Sequence, residues 1–115
     1  AGADPPLTIH RGTLRSGDHL QTNHSVLLIG DANPGSCISA GGDVLVWGRL
    51  RGVAQAGAGG DREARILALQ LRPLQLRIAE AVARGPAETP MEGMAEMAHL
   101  VAGEIRIDPA PPAWP

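Results

Sequence analysis

The sequence predicts an all-β fold, a short parallel β-helix, on three observations. Residues 26–43 (VLLIGDANPGSCISAGGD) and 44–61 (VLVWGRLRGVAQAGAGGD) are one pattern written twice at a shift of 18, with seven identities. These are Val26/Val44, Leu27/Leu45, Gly30/Gly48, Ala40/Ala58, Gly41/Gly59, Gly42/Gly60 and Asp43/Asp61, with Leu28/Val46 conservative beside them. A period of that length is too short for a helical hairpin but divides into three short strands and three turns, one coil of a parallel β-helix. The composition suits a narrow core, because Phe and Tyr are absent and Trp occurs twice, while 15 Gly supply frequent corners. Glycine takes φ > 0 at such corners without steric cost. Residues 8–80 then hold about four coils.

Residues 1–7 read as a linker remnant, and the β-helix domain runs over 8–84. Residues 8–14 (TIHRGTL) form the first strand, and Arg15-Ser16-Gly17-Asp18 a polar turn before a short strand at 19–21. After the turn 22–25, the run 26–29 opens the first full repeat, and residues 31–35 (DANPG) carry strong turn chemistry, since Pro presets φ and Gly reverses it. Residues 36–40 and 44–47 are strands joined at Gly41-Gly42-Asp43, residues 48–52 (GRLRG) make the next corner, and 53–61 repeat the pattern. Beyond it, 64–71 and 74–78 keep the apolar runs without the glycines, as one irregular coil. The irregular C-terminal segment, 85–115, reads as a cap and tail. In it Met91, Met94, Met97 and His99 lie on a short helix, residues 103–108 (GEIRID) form a strand, and the segment covers an open strand edge or joins a partner's strand.

Charge and special residues narrow the function. A formal net charge of −2 opposes a general nucleic-acid binder, which carries a basic excess. Cys37 is the single cysteine and no apolar run reaches a membrane span of about 18 residues, so the expected location is cytoplasmic. His10, His19, His24 and His99 share no metal-ligand spacing with one another or with Cys37, and no metal or cofactor is expected. The run 57–61 (GAGGD) lacks the Lys and Ser/Thr of a phosphate loop, and its glycines recur one coil earlier as corners. No catalytic residues are assigned. His19 or His24 between coils would be the base of a β-helix acyltransferase, the enzymatic alternative; a bactofilin-like polymer stacking end to end is the structural one. The exposed corners at Arg15-Ser16-Gly17-Asp18 and at Arg49 and Arg51 are the candidates for docking, their arginines being either solvated charges or docking contacts.

At these residues the chain resembles the C-terminal domain of the septum-site-determining protein MinC. The likeness rests on Arg15-Ser16-Gly17, the DANPG turn, and the block from Gly48-Arg49-Leu50-Arg51-Gly52 to Gly60-Asp61-Arg62-Glu63-Ala64. It implies a right-handed β-helix, a homodimer, and a non-enzymatic adaptor in division-site selection. That adaptor would bind the membrane-associated ATPase MinD in its ATP form and help direct inhibition of FtsZ ring assembly. In the family an Arg-Ser-Gly-Gln turn contacts MinD; Arg15, Ser16 and Gly17 match it, and Asp18 stands in the Gln position. The family's Arg-Gly-Arg-Ala becomes Arg51-Gly52-Val53-Ala54, which leaves Arg49 and Arg51 to hold the acidic FtsZ tail. Membrane contact would be indirect, by recruitment to the inner face of the plasma membrane through MinD.

Overall fold

The computed structural model describes residues 6–84 and 94–111, and among these every regular element is a β-strand. Strands β1 (Leu7–Arg11), β3 (Ser25–Ile29), β5 (Val44–Leu50) and β7 (Ile66–Leu71) stack in parallel as the first sheet. The second sheet stacks β2 (His19–Thr22), β4 (Cys37–Ala40), β6 (Val53–Ala56) and β8 (Gln75–Ile78), also in parallel. A third, narrow face is built from the bridges Leu14↔Ala32 and Ala32↔Leu50 and the pair Leu50↔Leu71. Four coils are thus wound around one triangular core.

The repeat and the stacking register coincide where the apolar runs lie: Val26 sits over Val44, Leu27 over Leu45 and Leu28 over Val46, each 18 residues apart. They part company at the corners. Two residues, Arg51 and Gly52, join Leu50 to β6 where Asn33, Pro34, Gly35 and Ser36 join Ala32 to β4, so Cys37 pairs with Val53, sixteen residues on. The longer loop before β7 then sets Val44 against Ile66, twenty-two residues on. The matches Gly41/Gly59, Gly42/Gly60 and Asp43/Asp61 are therefore not stacked neighbours. Asp43 instead faces Arg65, whose amide donates to Asp43 Oδ1 at 2.8 Å.

Inward positions are filled by branched aliphatics and alanine. Val26, Leu28, Ile38, Val44, Val46, Leu50, Ile66, Leu71, Leu76 and Ile78 are buried, with Ala32, Ala40, Ala54, Ala56 and Ala68 between them. Full burial of each large side chain contributes about 1.5–3 kcal/mol, and the small ones let the chain close tightly around a thin interior. The first coil is different: its inward side carries Thr8, His10 and Thr22, and the two threonine hydroxyls are bonded at 3.0 Å. The outer end of the core is closed by these polar groups together with Leu14 and Leu20, although the outer edges of β1 and β2 pair with no strand among the described residues.

The far end is closed by antiparallel strands. Strand β9 (Ala81–Arg84) folds back on β8, and β10 (Glu96–Val101) lies on the edge of β7 with β11 (Glu104–Pro109) outside it. The expected short helix around Met94, Met97 and His99 is corrected here: residues 96–101 form a strand. Ala98, buried, alternates with Met97 and His99 on the outer side, because the open edge of β7 offers backbone partners that a short isolated helix cannot match. Met91 lies outside the described residues. The strand expected over 103–108 is β11.

Candidate docking surface

The three faces present different chemistry. The outer side of the second sheet is mostly polar, with His19, Gln21, Ser39, Gln55, Gln75 and Arg77 along it. The outer side of the first sheet is apolar. In register across the coils stand Ile9, Leu27, Leu45, Leu67 and Met97, flanked by Ile29 and Trp47. Trp47 is 63% exposed and Ile9 55%, and none of the described residues covers them. Sequence reading missed this face. Its trace was there, since VLLI and VLVW are apolar at both parities, as in a strand covered on both sides.

The narrow third face carries the corner expected to dock. Leu14 points into the core, and the exposed turn Arg15-Ser16-Gly17-Asp18 follows it directly. The Asp18 carboxylate accepts the Arg15 amide at 2.7 Å, and the Asp18 amide donates to the Arg15 carbonyl at 2.9 Å, so the turn is closed from both ends. Gly17 adopts φ +89°, and its amide donates to the Gly35 carbonyl of the next coil at 3.0 Å. Ser16 lies flat against Gly35, where a β-carbon would collide with the serine Oγ. The corner is held against the coil beneath it, with the Arg15 guanidinium left in solvent.

Arg49 and Arg51 come to the same narrow face, two coils further along. They differ in freedom. Arg49 is engaged by Asp31, through its amide at 2.8 Å and its Nε at 3.5 Å. Arg51 is half-buried, and its Nε is buried without a hydrogen-bond partner among the described residues. Val53 lies around the corner on the second sheet, beside Leu74, Gln75 and Arg84.

A separate polar cluster sits at the end of the apolar face, where His99 and Asp108 share a hydrogen bond of 2.7 Å and Arg106 Nε approaches the same carboxylate at 3.4 Å. The bond to His99, with the Arg106 charge, holds the Asp108 carboxyl below the ordinary carboxylate range. His19 is exposed on the second sheet over Cys37, and His24 lines a shallow groove with Asp43 and Asp61. No three His, Cys, Asp or Glu side chains among the described residues are placed to hold a metal ion.

A rigid β-helix with one bare apolar sheet face and one arginine-bearing corner defines a scaffold for contacts with other proteins. The family model described as septum formation inhibitor MinC, C-terminal domain, matches residues 8–110, and the chain belongs to that family. It is 65% identical over 104 residues to the probable septum site-determining protein MinC of Prochlorococcus marinus strain MIT 9313, covering 90% of this chain and 46% of that protein. To its counterpart in Prochlorococcus marinus strain SARG it is 53% identical over 104 residues, covering 90% of this chain and 47% of that protein. The chain thus spans about half the length of these curated relatives. Among solved structures it resembles a chain of the MinC:MinD cell division protein complex of Aquifex aeolicus, with a TM-score of 0.86 and 35% identity over 94% of this chain and 89% of that one.

Proposed function

We propose that this chain is the docking half of a division-site inhibitor: a dimeric, non-enzymatic adaptor that binds MinD in its ATP form and helps direct inhibition of FtsZ ring assembly. The observation that carries the reading is the locked, solvent-facing Arg15-Ser16-Gly17-Asp18 turn, on a fold that matches a chain of a MinC:MinD complex. Asp18, in place of the family's Gln, turns one carboxylate oxygen onto the Arg15 amide and keeps its negative charge at the exposed corner.

The homodimer forms through the outer side of the first sheet. Trp47, Ile9 and Ile29 are the exposed apolar side chains there, and a two-fold partner with the same face removes them from water. Two docking corners on one rigid body raise the effective concentration at a membrane coated with MinD, so moderate single contacts recruit firmly. The nucleotide switch belongs to MinD, and the adaptor is a cytoplasmic protein brought to the membrane by it. FtsZ's acidic tail is held at Arg51 and Arg49 by charge-assisted hydrogen bonds, Arg51 lacking the ion pair that Arg49 makes with Asp31.

The test is co-sedimentation with MinD on lipid vesicles in ATP and in ADP, for the native chain and Arg15→Ala. Recruitment in ATP alone, lost in the variant, is expected. A folded dimer that fails to sediment in either nucleotide would overturn the reading.

A further inference from the structure

The narrow face repeats a backbone event in each coil. After the inward-pointing residue, the next amide donates to the inward residue of the coil above: Asn33 to the Leu14 carbonyl at 2.9 Å, Arg51 to Ala32 at 2.8 Å, and Arg72 to Leu50 at 2.9 Å. Leu14, Ala32, Leu50 and Leu71 are the buried members of that stack. Residues 15, 33, 51 and 72 therefore occupy the same outward position in successive coils. Three of the four are arginine, and with coils about 4.8 Å apart the column spans about 14 Å.

Arg15, Arg51 and Arg72 make no ion pair among the described residues, while Arg49, Arg62 and Arg106 each do. Of the carboxylates on this face, Asp31 is engaged by Arg49 and Asp18 by the Arg15 amide. Three like charges stacked within roughly two Debye lengths repel one another and concentrate a positive potential along one strip. An acidic surface laid along the strip relieves that repulsion and supplies acceptors to the exposed guanidinium groups of Arg15 and Arg72.

We infer that the docking surface of this domain is the whole arginine column, Arg15, Arg51 and Arg72, that it receives an acidic face of the partner ATPase, and that Arg51 is shared between this contact and the one assigned to the FtsZ tail. The inference rests on the reading that MinD docks at the Arg15 corner. Arg72 is the member that separates a column from a single corner. It lies in the fourth coil, outside the turn, and takes no part in the contact assigned to the FtsZ tail. Complementary charge of this kind acts on encounter rate and fidelity as well as on affinity.

The experiment is vesicle co-sedimentation with MinD and ATP for the native chain, Arg15→Ala, Arg72→Glu, Arg72→Gln and Arg77→Glu. The last removes an exposed arginine from the outer side of the second sheet as a control for net charge. Arg72→Glu is expected to weaken recruitment tenfold or more and Arg72→Gln about threefold, with Arg77→Glu within twofold of the native chain. The salt dependence of recruitment should also become shallower in Arg72→Gln, since one fewer charge is neutralised. Thermal melts of the exposed-site variants should superimpose on the native curve. If Arg72→Glu matches Arg77→Glu while Arg15→Ala abolishes recruitment, the column is wrong and the corner stands. If the native chain is not recruited, both fall.

Discussion

Asp18 Oδ2 accepts the Arg15 amide at 2.7 Å, and this single bond makes the fourth residue of the proposed docking turn a clasp for the first. Asp18→Ala removes the acceptor and frees the turn, while Asp18→Asn keeps an acceptor oxygen. The alanine variant should lose about 0.5–1 kcal/mol of stability, as for an exposed turn or cap bond, and bind MinD several-fold more weakly; the asparagine variant should stay close to native. Urea melts and vesicle binding measured side by side check this, and equal loss in both variants would mean that the carboxylate contacts the partner.

Gly35 supports the same turn from the coil beneath. It sits at φ +88°, and its missing β-carbon is where Ser16 Oγ rests. Gly35→Ala should cost about 1–3 kcal/mol through the left-handed backbone alone, with a further loss of MinD binding as Ser16 is displaced. Chemical denaturation reads the first effect and recruitment of the still-folded fraction the second.

Trp47 is 63% exposed in the single chain, so its removal takes little from the fold of one subunit. Trp47→Asp should convert the proposed dimer to a monomer over the micromolar range, raising its dissociation constant at least a hundredfold, with an unchanged far-ultraviolet spectrum. Sedimentation equilibrium decides it. A dimer that survives Trp47→Asp would move the interface off the first sheet.

The carboxyl of Asp108 is held below its ordinary range by His99 and Arg106. A carboxylate with a depressed folded-state pKa stabilises above its unfolded pKa and loses that contribution as pH falls through the folded one. Asp108→Asn should therefore be less stable than the native chain at neutral pH, with the difference closing as the solution is acidified below the carboxylate range. Thermal melts from pH 7 down to pH 3 test the sign, and a gap that widened on acidification would contradict it.

Much of this fold was legible because the apolar runs of β3 and β5 repeat at the spacing of one coil, and stacking obeys that spacing residue for residue. The corners were less legible. Whether Arg51-Gly52 replaces four residues or the loop after Ala56 adds some is invisible until strands are paired, so matched glycines looked stacked when they are not. The strand at Met97 was hidden because its partner, Leu67, lies thirty residues away and the local methionine spacing suits a helix. The turn at Arg15 to Asp18 could be placed from its own residues, as a turn. The alignment of Arg15, Arg51 and Arg72 could not, since they are unevenly spaced in the chain and come into one line only through the register. The apolar outer face was concealed by parity: when both sides of a strand are aliphatic, sequence does not say which side is the core.

The unequal corners have a consequence for how this domain changes over time. The stack counts coils, not residues: Cys37 meets Val53 and Val44 meets Ile66 although the chain between them differs in length. Differences in corner length are thus taken up mainly outside the ladder, with one register shift inside it between Val46 and Arg49, and the span between the Arg15 turn and the β10 cap is set by the number of coils. The domain behaves as a ruler whose graduations survive editing of its margins, and the loop after Ala56 is the margin at which a reporter or an extra segment can be written without altering what it measures.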